Sequence, residues 1–293
     1  MIKKGLTSLA IFFLYLLSLL PFWFLYLIAD FLYLILFYIV GYRRRVVQEN
    51  LRNSFPEKTE SERKIIEKKY FRYLADLFVE SIKAISISKT EVERRMFVNN
   101  TEIVDEYFKQ NRSVITAVGH YGNWEWGALR ASTITNHPRL IIYKPLNDDA
   151  SDNFYKKVRS KFGATLIPMK GTLRAMIALR KELTFSVFAS DQTPTREDAN
   201  YFTNFLNQPT AVFLGIEKIA KIINGVVIFA DIRRVKRGHY VCTFIPIVEE
   251  PLQTTEYEIT RAHVKYLEKV IKEEPAYWLW SHRRWKFKPE HTN

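Results

Sequence analysis

Apolar positions are spread unevenly along the chain, and their spacing changes twice. From Gly5 to Tyr42 apolar and aromatic residues run almost without a break, and Asp30 is the one acidic or basic side chain. At ~1.5 Å per residue, a single straight helix of that length would exceed the ~30 Å hydrocarbon core of a bilayer. The run is too long for the apolar region of a signal peptide, and no small-residue cleavage site follows it. Leu6 to about Ile28 is therefore expected to form an uncleaved membrane anchor. Pro21 or Asp30 is expected to break the segment, leaving a second helix near the interface. A buried helix of a soluble protein is the plainer alternative. Lys3 and Lys4 precede the run, whereas Arg43, Arg44, Arg45 and Arg52 follow it. That asymmetry favours a cytoplasmic main domain, although basic residues at both ends also permit a re-entrant hairpin.

Beyond Tyr42 the pattern becomes that of a globular domain, so the chain divides into an anchor (1–42) and a main domain (43–293). After a turn at Pro56, Thr59 or Ser61 can cap a helix reaching about Ser88, in which Ile65, Ile66, Tyr70, Leu74, Leu77, Phe78 and Ile82 fall near helical spacing. From Ser113 short β-branched runs alternate with helical stretches. The strands are "SVITAVGH", "RLIIYKP", "ATLIP", "TFSVFAS", "GVVIFADIRRV" and "HYVCTFIPI". The helices are expected over Asn123–Thr135, Asp149–Phe162, Thr172–Lys181, Thr210–Asn224 and Glu256–Glu273. This alternation predicts an α/β fold. The last two strands, joined at "KRGH", make its sheet a mixed one flanked by helices.

The charge balance, 44 basic against 31 acidic residues and a formal net of +13, suggests an anionic partner: a membrane surface, a nucleic acid or an acidic protein. Solubility alone is the bland reading. Cys242 is the single cysteine, which excludes an internal disulfide, a cysteine-based zinc site and a CxxC redox pair; inside an apolar run it reads as core. The chain lacks HExxH and any glycine-rich phosphate loop, so metalloprotease and P-loop chemistry have no support, and no metal or cofactor is expected.

Two histidines precede a glutamate by five positions, His120/Glu125 and His263/Glu268, whereas composition alone places about 0.6 such pairs in this chain. Spacing therefore cannot decide which one matters. Glu268 lies in a charged amphipathic helix with no strand before it, and five residues turn a helix by about 500°, so His263 and Glu268 point to different sides. That pair reads as solvated surface. His120 instead ends an apolar strand within "GHYGNWEWG", the place where open α/β sheets bind ligands. Gly119 and Gly122 permit a tight turn. Asn123 can cap the next helix, and Glu125 in its first turn can reach back to the imidazole. Such a pair suits general-base catalysis: a neutral imidazole takes the proton of an attacking alcohol, while a carboxylate fixes its tautomer. A polar capping turn is the alternative. No GxSxG is present, so the simplest mechanism is direct transfer to an acceptor hydroxyl.

At this motif the sequence resembles the bacterial lipid A biosynthesis (late) acyltransferases, related to the HX4D/E glycerolipid acyltransferases, over nearly all of the chain after Gly5. "GHYGNWE" looks like the HX4(D/E) block, and "YRRRVVQENLRNSFPEKTESER" like the segment after the anchor. "VRSKFG" matches a block with a functional arginine, here Arg159, and "SDQ" one with an aspartate, here Asp191. "PAYWLWSHRRWKFKP" looks like the C-terminal signature. The resemblance implies a glycerolipid acyltransferase-like α/β fold with an N-terminal membrane-anchoring helix. It implies transfer of an acyl chain from acyl carrier protein, or sometimes coenzyme A, to a hydroxyl of a membrane glycolipid precursor at the bacterial inner membrane, on its cytoplasmic face. His120 would be the general base and Glu125 its orienter, with Arg159, Asp191 and Asn123 toward the substrate. In "NFLNQPTA" Asn207 replaces the family's common glycine. Asparagine tolerates positive φ, so the turn is expected to survive.

The residues alone leave some roles open. Arg159 is either a phosphate-binding fork or an exposed charge, and Asp191 either holds a site residue or caps a loop. His282, Arg283, Arg284 and Lys286 interleave with Trp278, Trp280 and Trp285; the tryptophans are expected to be structural, and some basic residues to face lipid phosphate or carrier protein. His137 and His239 receive no role. Two competing functions are the same chemistry on a lysophospholipid, aminolipid or other glycolipid, and a non-catalytic membrane-bound basic protein for anionic lipid or nucleic acid. The second lacks any recognisable RNA-binding motif, and no nucleic acid is expected.

Overall fold

The computed structural model describes residues 2–289, with side chains from residue 7 onward. The apolar run forms two helices, α1 (Ile2–Leu19) and α2 (Phe22–Leu34), the latter continuing through a π turn at Ile35–Ile39. Pro21 separates them, as its missing N–H and its ring require. Among the described residues the helical stretch long and apolar enough to cross a membrane is Phe22–Ile39, with mean hydropathy 2.1, whereas Pro21 interrupts Leu6–Ile28. Nor does α2 stand apart. Leu25, Ala29, Tyr33 and Phe37, four residues apart, are buried within the largest hydrophobic cluster, while Trp23, Leu27, Phe31 and Tyr38 are exposed.

The protein-facing stripe of α2 lies on α4 (Glu60–Lys83), with α3 (Arg44–Ser54) alongside. The start of α4 is a capping box in which the Thr59 hydroxyl accepts from Glu62 N–H and the Glu62 carboxylate accepts from Thr59 N–H. Lys83 Nζ near its end donates to Ser18 O and Leu20 O at 2.8 and 3.0 Å, satisfying carbonyls left over where α1 stops. The composition changes at Tyr42, but packing continues across it.

Next come α5 (Lys89–Arg95), β1 (Met96–Val98) and α6 (Glu102–Lys109), three short elements that apolar periodicity did not announce. Then β2 (Val114–Val118), α7 (Trp124–Ala131), β3 (Arg139–Tyr143), α8 (Asp149–Ser160), β4 (Thr165–Pro168), α9 (Thr172–Ala178) and β5 (Phe185–Ala189) follow the predicted alternation. The helix expected over Thr210–Asn224 is shorter. Its first residues belong instead to a hairpin of β6 (Phe202–Phe205) and β7 (Gln208–Ala211), and α10 spans Gly215–Ile223. Leu206 and Asn207 make that hairpin's turn with φ of 50° and 62°, the positive pair that a two-residue loop of this hand needs. Asn207 therefore does what a glycine would.

The chain closes with β8 (Val226–Lys236), β9 (His239–Val248) and α11 (Glu258–Glu273). Seven strands form one sheet in the order β1-β9-β8-β2-β5-β3-β4, parallel throughout except for the β8–β9 hairpin. This is the expected mixed α/β architecture. β2 lies between β8 and β5, every residue of it buried, as a strand covered on both faces demands.

Candidate active site

The carboxyl ends of β2 and β5 lie side by side, and each delivers one side chain to the same point. Past β2, Gly119 and Gly122 are required for different reasons. A Cβ on Gly119 would sit 2.5 Å from Leu267 Cδ1; Gly122 has φ +60° and a Cβ there would sit 2.8 Å from Ile232 O. Between them lies His120. Past β5 lies Asp191.

These two meet. His120 Nδ1 is 2.6 Å from Asp191 Oδ1, and His120 N–H donates to Asp191 Oδ2 at 2.8 Å. Trp278 Nε1 also donates to Oδ2, at 2.7 Å. Burial alone would push the Asp191 carboxyl up. The His120 ring beside it and the donated hydrogen bonds outweigh burial and hold it at about 2. An ionised Asp191 accepts a hydrogen bond from Nδ1–H, which leaves Nε2 as the basic nitrogen. Nε2 faces the Gln192 amide at 3.1 Å, and the ring stands edge-on to Trp124 at 5.0 Å between centroids.

Glu125, expected to orient His120, has other partners. It accepts from Arg159 Nε at 3.0 Å, from a second Arg159 nitrogen, and from Trp124 Nε1 at 3.1 Å. The carboxylate bonded to the His120 ring is Asp191, 71 residues away in sequence, which its position at the end of a strand and the "SDQ" block had marked as a candidate. Arg159 is no exposed surface charge either. Its side chain is 12% exposed and lies 4.0 Å over the Tyr155 ring, and although burial pulls its pKa down, Glu125 and Tyr155 raise it further. Asn123 caps α7 as expected, its Oδ1 accepting from Trp126 N–H at 2.9 Å. Its side chain is wholly buried and its amide nitrogen is committed to Glu80, so it faces the interior rather than a substrate.

His263 overturns its surface reading. It is 3% exposed, on the core stripe of α11 with Ile259 and Leu267, while Glu268 pairs with Lys272 on another side. Charged neighbours in sequence concealed that stripe. His263 Nε2 has no hydrogen-bond partner, nor do Nε and Nη1 of Arg284, which is likewise buried. Both line a small cavity beneath Asp191. Burial lowers the His263 pKa to about 4 and that of Arg284 to about 10. Trp278 and Trp280 are core residues, as expected, whereas Arg283 and Lys286 are exposed.

On the other side of the sheet a narrow apolar cavity of about 30 Å³ runs beneath α7. Trp124 and Val118 line it on the His120 side; Ala131, Ile134, Phe244 and Cys242 line it further in. Burial pushes the Cys242 thiol up to about 12, so it is an inert wall residue. Among the described residues no cluster of His, Cys, Asp and Glu side chains could hold a metal ion.

Three relatives are similar over four-fifths or more of this chain. The lipid A biosynthesis palmitoleoyltransferase of Escherichia coli K12 is 24% identical over 249 residues, covering 84% of this chain and 80% of its own. The lipid A biosynthesis lauroyltransferase of the same organism is 25% identical over 252 residues, covering 85% and 80%. A lipid A biosynthesis acyltransferase of Haemophilus influenzae is 26% identical over 257 residues, covering 86% and 80%. The sequence pattern of the family described as bacterial lipid A biosynthesis acyltransferase matches residues 1–287, and with a family match over nearly its full length this chain belongs to that family and is an acyltransferase.

Proposed function

We propose that the protein transfers a fatty acyl chain from a thioester donor to a hydroxyl of a lipid A precursor, with His120 as general base and Asp191 as its orienter. The observation that carries this reading is the imidazole held at Nδ1 by a buried, ionised Asp191, with Nε2 turned toward Gln192 next to an apolar cleft. Nε2 takes the acceptor hydroxyl proton as that oxygen attacks the thioester carbonyl. The tetrahedral adduct collapses by breaking the C–S bond, and the imidazolium returns the proton to the departing thiolate. Glu125 and Arg159, tied to each other at the mouth of the site, supply its fixed charges: Arg159 toward an anionic group of either substrate, Glu125 toward the reacting centre.

The apolar cavity beneath α7 is the space we assign to the acyl chain, which would enter past Trp124 and widen it. The two E. coli relatives named for different acyl groups stand at 24% and 25% identity, so similarity does not select a chain length, and the cleft should. Ala131→Phe, deep in it, is expected to shift preference toward shorter donors, measured by mass spectrometry of products from a mixed-donor reaction.

The net charge of +13 suits an acidic acyl carrier protein, coenzyme A, and a phosphorylated lipid alike. The exposed apolar face of α1 and α2, including Phe12, Phe13, Trp23, Leu27 and Phe31, is the surface proposed to enter the inner membrane, with Arg43 to Arg45 at the cytoplasmic headgroups. The deciding experiment is lipid mass spectrometry of a strain lacking the gene. Loss of one acyl chain from lipid A, restored by the wild-type gene but not by His120→Ala, is expected. Unchanged lipid A with an altered phospholipid or aminolipid would move the acceptor to another class.

A further inference from the structure

The turn that carries His120 is held from below by α4, and α4 is in turn bonded to the apolar helix α2. Tyr73 and Glu80 lie seven residues apart, two turns along one face of α4. The Tyr73 hydroxyl donates to Gly122 O. The Glu80 carboxylate, 1% exposed, accepts from Asn123 Nδ2 at 2.7 Å, and Asn123 caps α7 through Trp126 N–H. Trp126 adds a second tie, its Nε1 donating to Glu80 O at 2.9 Å. The other oxygen of Glu80 accepts from Tyr26 Oη, on α2, at 2.9 Å. Phe22, at the start of α2, meets the Trp126 ring edge-on at 5.8 Å. Glu80 thus hydrogen-bonds to both the N-terminal apolar helix and the cap of the catalytic turn.

We propose that Tyr26, Glu80 and Asn123 are positioning residues for His120, so that α2 does more than hold the enzyme at a membrane: its seating on α4 sets the geometry of the catalytic turn. The functional half of this inference rests on the acyltransferase reading above; the mechanical half does not. A buried carboxylate with three donors is costly to place and more costly to leave half-satisfied. Tyr240 Oη supplies the third donor at 2.7 Å. Anchoring a membrane helix needs none of this, since apolar contact suffices. Glu80 and Asn123 can also exchange roles across their bond. With Glu80→Gln and Asn123→Asp combined, the new amide at position 80 would donate to the new carboxylate at position 123. That carboxylate would still accept from Trp126 N–H through its second oxygen, and the net charge is preserved.

The test uses the full-length protein in nanodiscs, comparing Glu80→Gln, Asn123→Asp, the double variant and Tyr26→Phe. Two readouts are taken: kcat and KM for acyl transfer from a thioester donor, and hydrogen exchange of the amides over Gly119–Gly127. Glu80→Gln removes the charge and leaves either Tyr26 Oη or Asn123 Nδ2 facing an amide nitrogen, and Asn123→Asp places two carboxylates face to face. Each is expected to lower kcat about 10-fold or more, with KM within about 2-fold, and to speed exchange in the turn. The double variant should recover both to within about 3-fold of wild type, beyond what independent effects allow. Tyr26→Phe, which removes one hydroxyl and should fold in any case, is expected to speed exchange in the same turn and lower kcat about 3-fold. A double variant no better than its worse parent would overturn the Glu80–Asn123 link, and a Tyr26→Phe protein indistinguishable from wild type would remove α2 from the chain of contacts. Were no variant or wild type to transfer acyl groups, the functional reading would fail while exchange still decided the mechanical one.

Discussion

His120 and His263 share a spacing to a glutamate, and both sit close to Asp191, yet they are placed for opposite ends. His120 ends a strand, has polar partners at both ring nitrogens, and keeps 16% of its side chain exposed. His263 lies on the core stripe of a helix, fully enclosed, with Nε2 unpartnered and a pKa lowered to about 4. The first is bonded through Nδ1 to a buried carboxylate, with Nε2 turned toward the site. The second is held neutral by burial, which the nearby Glu217 and Asp191 carboxylates do not outweigh. Proximity to Asp191 is therefore not what singles out a histidine; the role proposed for His120 rests on a direct bond to Asp191 and a second nitrogen turned toward the site.

The comparison breaks first at His120. His120→Ala is expected to lower kcat by about 10³–10⁴ with folding intact, checked by transfer assay alongside thermal unfolding. Activity near wild type would leave the two histidines equivalent. Asp191→Asn should follow at about 10²–10³, because an amide can present the wrong atom to Nδ1 and cannot stabilise the imidazolium. Glu125→Gln sharpens the contrast between the two carboxylates near the turn. It weakens a charged pair with Arg159 but leaves His120 oriented, so a loss of about 10-fold is expected, smaller than at Asp191. The reverse order would return the orienting role to Glu125. Glu268→Gln, at the matching position of the other pair, should stay within about 2-fold.

The larger signals were legible before the structure. β2, β5, β8 and β9 were readable from β-branched runs, the start of α4 from Thr59 or Ser61 as a cap, and the strand–turn–helix setting of His120 from its two glycines. Other features depend on chain distance. Asp191 reaches His120 through the parallel pairing of β2 with β5, which no local pattern encodes. Glu125 was the tempting partner because it is near in sequence, but the first turn of α7 hands it to Arg159 on α8. β1, α5 and α6 are too short for periodicity to register. His263 was misplaced for a different reason: on α11 the charged residues around it are one face of an amphipathic helix, and average polarity hides the apolar stripe of Ile259, His263, Leu267, Val270 and Ile271.

The smallest expected effect concerns stability and separates the two histidines by pH. His263 titrates at about 6.5 once unfolded but is lowered to about 4 in the folded protein. Between those values the unfolded chain binds the extra proton, so the histidine's contribution is fully present above pH 6.5 and is lost progressively as pH falls toward 4. His282, half-buried against Thr193 and also lowered by burial to about 4, acts in the same window and direction. Asp191 does not contribute there. Its carboxyl is held at about 2, so its stabilisation is present above the ordinary carboxylate range and disappears only as pH falls toward 2. Unfolding temperature should therefore drop between about pH 7 and pH 5, and His263→Leu, which replaces an unpartnered polar ring by an apolar side chain, should drop less over that interval. Its activity at about pH 7 should remain within about 3-fold, because the imidazole that matters for transfer is the one bonded to Asp191. Parallel pH curves for wild type and His263→Leu would mean that His263 reaches a proton or a partner when folded, and the distinction between the two rings would then rest on geometry alone.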